Sequence, residues 1–281
     1  MLMLAHRRGF TLAEIMLGLV VTLVVTGSIY NLLLATQRVT RAQAQRVMLQ
    51  SSLRAGSLIV LNELAELSTA TGGTPDQNDV LTMGSSAITY RAMRGMGIIC
   101  HLPGATVIRL ARSTFTGHRD PQAGRDRAFV FVPGNAETAD SWVPRDIVTV
   151  ATAAPCPGGQ GPGITLTLSS SPSLEALEVG TPVRITELME FRLYRADGRS
   201  WLGARSVSAG ELIQPLLGPL TDVSGFELEY LDATGSPTAD RSDVKSIQVR
   251  LRGMVESAGD NAAPPEEELV TRVALRNSPA T

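Results

Sequence analysis

Few side chains in this sequence have the type and spacing to carry out chemistry, and most of those are poorly placed for it. The three histidines stand at 6, 101 and 118, too scattered to share a metal ion. Cys100 and His101 are neighbours, but adjacent side chains of a strand leave opposite faces, so they are no nucleophile–base pair. Gly158-Gly159-Gln160-Gly161-Pro162-Gly163 has the glycine content of a phosphate loop but lacks the Lys-Ser/Thr ending and a following helix signal. Asp232, Asp240 and Asp243 could hold Ca²⁺, yet their spacing is not that of an EF-hand loop, and a solvated turn is the plainer reading. No catalytic residue, metal or cofactor is expected, and the chain is not expected to be an enzyme.

The acid that demands an explanation is Glu14. It opens an apolar run, Ile15 to Ala35, that contains no charge and no proline. Twenty-one helical residues span roughly 31 Å, one hydrocarbon thickness. A carboxylate inside such a span costs about 2.5–3.5 kcal/mol on insertion scales, so something must offset it. Glu14, Gly18, Thr22 and Thr26 recur every four residues, which places them on one helix face. Small and hydroxylated residues at that interval let helices approach closely. The run is longer than a signal-peptide core, and Thr36-Gln37-Arg38 offers no small-x-small cleavage site, so it is expected to remain as an anchor.

The text before the run carries a resemblance. After Arg7 and Arg8, Gly9-Phe10-Thr11-Leu12-Ala13-Glu14 resembles the processing signal of type IV prepilins and type II secretion pseudopilins. The resemblance implies cleavage after Gly9 by the prepilin peptidase, removing residues 1–9 as a leader and N-methylating Phe10. It further implies that Glu14 pairs with the positive amine of a neighbouring subunit's first residue during assembly. Loss of Arg7 and Arg8 would take the net charge from −2 to −4. The implied location is the inner membrane, single pass, with the N-terminus cytoplasmic and the rest periplasmic, and then the filament. The positive-inside rule alone would not give that orientation, because Arg38, Arg41 and Arg46 follow the span.

The element that must position these residues is a long helix over 10–70, transmembrane over 15–35 and amphipathic over 36–70. Leu49, Leu53, Gly56, Val60, Leu64 and Leu67 follow a three-and-four spacing, with Arg54, Glu63 and Glu66 off the stripe. Gly72-Gly73-Thr74-Pro75 stops the pattern. Pilins often carry a proline early in the mature helix; here none precedes Pro75, so no kink is expected.

Residues 76–281 change texture to short apolar runs between turn residues. Strands are expected at 87–91, 107–110, 128–132, 147–151, 164–168, 183–193, 226–231, 244–251 and 269–275, with 256–268 as an exposed loop. The expected fold class is α+β: the ladle of type IV pilins, a long N-terminal helix on a mostly antiparallel sheet.

Text near the end narrows the resemblance. Leu216 to Asp232, then Val244 to Leu251 and Thr271 to Asn277, is similar to the close of PilW-type minor pilins. It is less similar to the J pseudopilins of type II secretion, which tend to place a tryptophan after the tyrosine strand; none follows Trp201 here. The expected function is that of a structural minor pilin of a type IV pilus or its initiation or tip complex, with the J-like pseudopilin as alternative. Partners would be the prepilin peptidase, other minor pilins or pseudopilins and the filament subunits.

In an oxidising compartment Cys100 and Cys156 would suit one disulfide. Nucleic acid is not expected as a partner: net charge is −2, aromatics are 4%, and basic residues are interspersed with acids at Arg119-Asp120, Arg125-Asp126-Arg127 and Arg145-Asp146. No small-molecule substrate is expected either.

Overall fold

The computed structural model describes residues 11–69, 78–134, 140–152, 154–159, 161–170, 177–254 and 266–276. The chain divides into two units, residues 1–49 and 50–281. One helix, α1 (Leu12–Ala65), runs without interruption through the end of the first unit and into the second. Helix stops at Ala65 rather than near 70, and Gly72–Pro75 lies outside the described residues.

Through most of the first unit the apolar side chains of α1 are exposed. Every residue from 11 to 33 is exposed, including Leu17, Val21, Val24 and Leu32. This is the one helix among the described residues that is long and apolar enough to cross a membrane. Thr22, Ser28, Thr36 and Thr40 donate their hydroxyls to the carbonyls four residues back, at 2.7–2.9 Å, so these polar groups are satisfied inside the helix.

Among the described residues the second unit comprises residues 50–65 of α1 and thirteen strands. These are β1 (Val80–Met83), β2 (Ala87–Gly104), β3 (Val107–Ala111), β4 (Thr116–Gly117), β5 (Asp126–Val132), β6 (Ser141–Ala151) and β7 (Gly163–Leu168). They continue with β8 (Pro182–Ala196), β9 (Arg199–Ser206), β10 (Gln214–Leu220), β11 (Phe226–Leu231), β12 (Ser246–Met254) and β13 (Glu266–Ala274). Every pairing between them is antiparallel, so the α+β class holds.

The pairings close a ring. β2 pairs with β3, β3 with β7, β7 with β6, β6 with β5, β5 with β8, and β8 returns to β2. Such closure makes a six-stranded barrel, which leaves no free edge within the ring. All six strands fill it with residues two apart: Ile108 and Leu110, Ala128 and Val130, Ile164, Leu166 and Leu168, Val183 and Ile185, together with Ile99 and Ile147. Beyond the ring, β8 continues to pair with β9, then β10 and β12, with β11 and β13 flanking β12.

Helix residues Leu53, Gly56, Val60 and Leu64 are buried, the stripe expected from their spacing. At Gly56 the approach is close: a Cβ there would lie 2.7 Å from Cδ2 of Leu217 on β10. Only hydrogen fits without displacing that leucine.

Several expected boundaries are corrected. β1, β4, β9 and β10 were not anticipated, and β2 is eighteen residues long rather than five. β9 and β10 escape because glycine and proline (Gly203, Pro215, Gly218, Pro219) interrupt their alternation. Val244 precedes β12, and Glu266, Glu267 and Glu268, read as loop, form the first turns of the β13 ladder opposite Met254, Gly253 and Arg252.

Candidate functional site

The candidate assembly site begins at the helix start. Gly9 and Phe10 lie outside the described residues, and the structure describes the chain from Thr11. Thr11 and Glu14 form a reciprocal cap. The Thr11 amide and hydroxyl donate to Oε2 of Glu14 at 2.9 and 3.0 Å, while the Glu14 amide donates to the Thr11 hydroxyl at 3.3 Å. This is the T-x-x-E capping box, which satisfies two of the donors a helix N-terminus leaves open. Both side-chain bonds fall on one oxygen of the carboxylate, Oε2. Glu14 therefore has a role within its own chain besides any role between chains, and the Thr11–Glu14 spacing was the sequence signal for it.

Glu14, Gly18, Thr22 and Thr26 are all exposed on α1. Helical geometry sets them along one face with a drift of about 40° per step. Thr22 donates to the Gly18 carbonyl at 2.7 Å, so the two act as a unit, and the threonine offers its methyl and a lone pair outward rather than a free proton.

Cys100 on β2 and Cys156 are joined in a disulfide with Cα atoms 5.8 Å apart. Both are buried beside Ala111. The bond ties the turn between β6 and β7 to the barrel, and Arg109 Nη1 adds a 2.7 Å bond to the Pro155 carbonyl. Gly158, Gly159 and Gly161 hold φ of 71°, 75° and 80°, where side-chain-bearing residues are strained. The glycines thus serve a turn.

The acidic loop is organised by its own backbone. Oδ1 of Asp232 accepts from the amides of Thr234 and Ser236 at 2.8 and 2.9 Å and from the Thr234 hydroxyl at 2.7 Å. These bonds hold the Asp232 carboxyl below its ordinary range. Asp240 accepts from the Ser242 amide at 2.9 Å. Among the described residues no three of His, Cys, Asp and Glu gather as metal ligands.

A cluster not anticipated from the sequence sits where β8 leaves the barrel. Glu187, 2% exposed, receives Arg94 Nε at 2.7 Å and Arg119 Nη2 at 3.1 Å, and Arg125 Nε closes on its other oxygen. Arg94 also reaches Glu63 on α1 at 3.0 Å, and Arg119 clasps the fully buried Asp126 through two bonds of 2.6 and 2.7 Å. Burial alone would raise the Glu187 pKa; hydrogen bonds from Ser206 and Arg94, then the charge of Arg94 and the bond from Arg125, outweigh it and hold the group at about 2. Asp126 is thus interior, and Arg119 and Arg125 are half-buried around Glu187, correcting their reading as solvated surface, whereas Arg127–Asp146 is an exposed pair. The missed signal was phase: Glu187 follows Val183 and Ile185 on the inward face of β8.

No family model matches this chain, and no curated protein or solved structure is significantly similar to it.

Proposed function

We propose that this chain is a structural minor pilin, processed between Gly9 and Phe10 and assembled through its N-terminal helix into a type IV pilus or its initiation complex. One observation carries the reading. The Arg7-Arg8-Gly9-Phe10 text runs directly into a capped helix whose first turn holds Glu14 and whose next twenty or so residues expose apolar side chains. An unshielded apolar helix of that length is stable only in lipid or against other helices.

In this reading α1 serves as anchor before assembly and as spine afterwards, the ladle arrangement, and the β-rich unit makes the lateral contacts in the periplasm. The work is done by packing, without catalysis. Cleavage would leave a positive α-amine on Phe10, and the Glu14 carboxylate still offers Oε1, the oxygen that the Thr11 cap does not use. A neighbour's amine docking there offsets the carboxylate's desolvation cost.

The test is a count of surface pili by electron microscopy in a clean deletion strain and its complemented derivative. Loss of pili restored by the gene supports the minor-pilin reading. Normal pili with lost protein secretion would replace it with the pseudopilin alternative.

A further inference from the structure

β13 pairs with β12 along one edge, and its other edge is open. In an antiparallel ladder successive residues turn their N–H and C=O groups to alternate sides. The Leu275 amide donates to the Lys245 carbonyl, in line with β12, whereas the next amide, Arg276, turns away to the Ala65 carbonyl of α1, each at 3.0 Å. By the same alternation Leu269, Thr271 and Val273 bond to β12, while Glu266, Glu268, Val270, Arg272 and Ala274 direct their backbone groups outward. Among the described residues nothing pairs with those outward groups, along a strand of nine residues. The side chains of the same five residues lie on the exposed face of the sheet.

Charge ordinarily blunts such an edge. Here the charges are ordered by sign along the strand: Glu266 and Glu268 precede Val270, and Arg272 follows it. Glu268 receives Arg250 and Arg252 at 3.2 and 3.5 Å, both on Oε1, which leaves Oε2. Arg272 bonds through Nε to the Ser246 hydroxyl at 2.8 Å and meets no acid among the described residues, and Glu266 meets no base there.

An antiparallel strand of the same sequence brings arginine to these acids, whereas a parallel one brings acid to acid. We propose that β13 pairs with β13 of a second copy of this chain, antiparallel, about a two-fold axis at Val270. Centred there, every outward residue meets an outward residue. Val270, 46% exposed, faces the partner's Val270, Glu268 faces the partner's Arg272, and Glu266 faces the partner's Ala274 with the partner's Arg272 on its diagonal. A shift of two residues either way leaves an end unmatched. One shift sets Ala274 against the partner's Pro264, which has no N–H; the other sets Glu266 against the partner's Arg276, whose amide is spent on Ala65. Main-chain bonds supply the affinity, the charges fix direction and register, and the isologous contact closes at two chains. The inference stands on the β13 edge and does not need the pilin reading.

The experiment is disulfide trapping of the full chain in detergent micelles, read on a non-reducing denaturing gel after copper–phenanthroline oxidation. Cys100 and Cys156 are bonded to each other, so an introduced cysteine is the one free thiol. Residues facing each other in a hydrogen-bonded pair have Cα atoms about 5.5 Å apart, within disulfide range. Val270→Cys should therefore link to its own copy. Ala274→Cys alone should not, because its two copies would stand roughly 27 Å apart along the strands, and nor should Glu266→Cys alone; a mixture of these two variants should link. Arg272→Glu should weaken dimerisation about tenfold in sedimentation equilibrium with an unchanged melting temperature, since two attractive pairs become repulsive. No self-linking of Val270→Cys, equal self-linking of Ala274→Cys, or undiminished dimerisation of Arg272→Glu, as in a dimer held by α1, would overturn the proposal. Val270→Cys linked in whole cells to a different chain in place of its own copy would assign the edge to a foreign strand and overturn it too.

Discussion

Glu187 holds a carboxylate among three guanidiniums at 2% exposure, a placement that is costly unless every partner stays in position. Replacing it by alanine leaves Arg94, Arg119 and Arg125 without their shared acceptor, and the expected loss is about 3–5 kcal/mol, read from a denaturant midpoint. The pH dependence follows from its depressed pKa, about 2 in the folded chain against an ordinary 4.5. A group whose folded pKa is lowered contributes stability that is complete above its unfolded value and is lost as pH falls through the folded one. Melting temperature should therefore decline from about pH 4.5 towards pH 2, and Glu187→Gln should start lower and show a shallower decline across that window. An equally steep acid limb in the glutamine variant would assign the effect to other carboxylates.

At the scale of elements, Gly56 and the disulfide make separate predictions. Leu217 of β10 occupies the space a Gly56 side chain would need, so Gly56→Leu should destabilise by about 1–3 kcal/mol through overpacking. Gly56→Ala should cost less, because alanine regains about 1 kcal/mol of helix propensity and the leucine terminus can shift. Comparing the two midpoints separates crowding from propensity. Cys156→Ser opens a link across 56 residues of sequence and should cost about 4 kcal/mol in the chain-entropy account, seen as a matching fall between oxidised and variant proteins. The elements differ in how plainly they could be read. The helix stripe from Leu53 to Leu64 and strands β3 and β7 repeat or alternate cleanly, because one face of each is more deeply buried than the other. β2 could not be bounded: its middle, Met93 to Gly97, carries glycines that accept the Phe115 ring, an interaction with a residue twenty positions away. Closure of the barrel was illegible for the same reason, since β2 meets both β3 and β8 and nothing local announces the second partner.

For the whole molecule the question is what Glu14 does, and here two structural roles make different demands. Within the chain it closes a box with Thr11; between chains the proposed role is to receive an amine. Both were written in the text around Gly9: the spacing Thr11-x-x-Glu14 names the cap, and an acid at the mouth of an apolar span names a partner. The half-buried arginines around Glu187, by contrast, became visible only in three dimensions, because adjacent acids made them look solvated. Substitutions separate the two roles of Glu14. Thr11→Val removes the hydroxyl's two bonds of the cap and keeps the amide's bond to Glu14, costs about 1 kcal/mol of helix-end stability, and should leave assembly largely intact. Glu14→Ala removes both roles and should still be processed yet fail to enter filaments, whereas Gly9→Val should block processing outright. The measurements are the size of the chain on a denaturing gel and its recovery in sheared surface filaments. If Thr11→Val and Glu14→Ala lose incorporation to the same degree, the acid serves the helix start alone. If only Glu14→Ala does, its carboxylate acts across the subunit boundary.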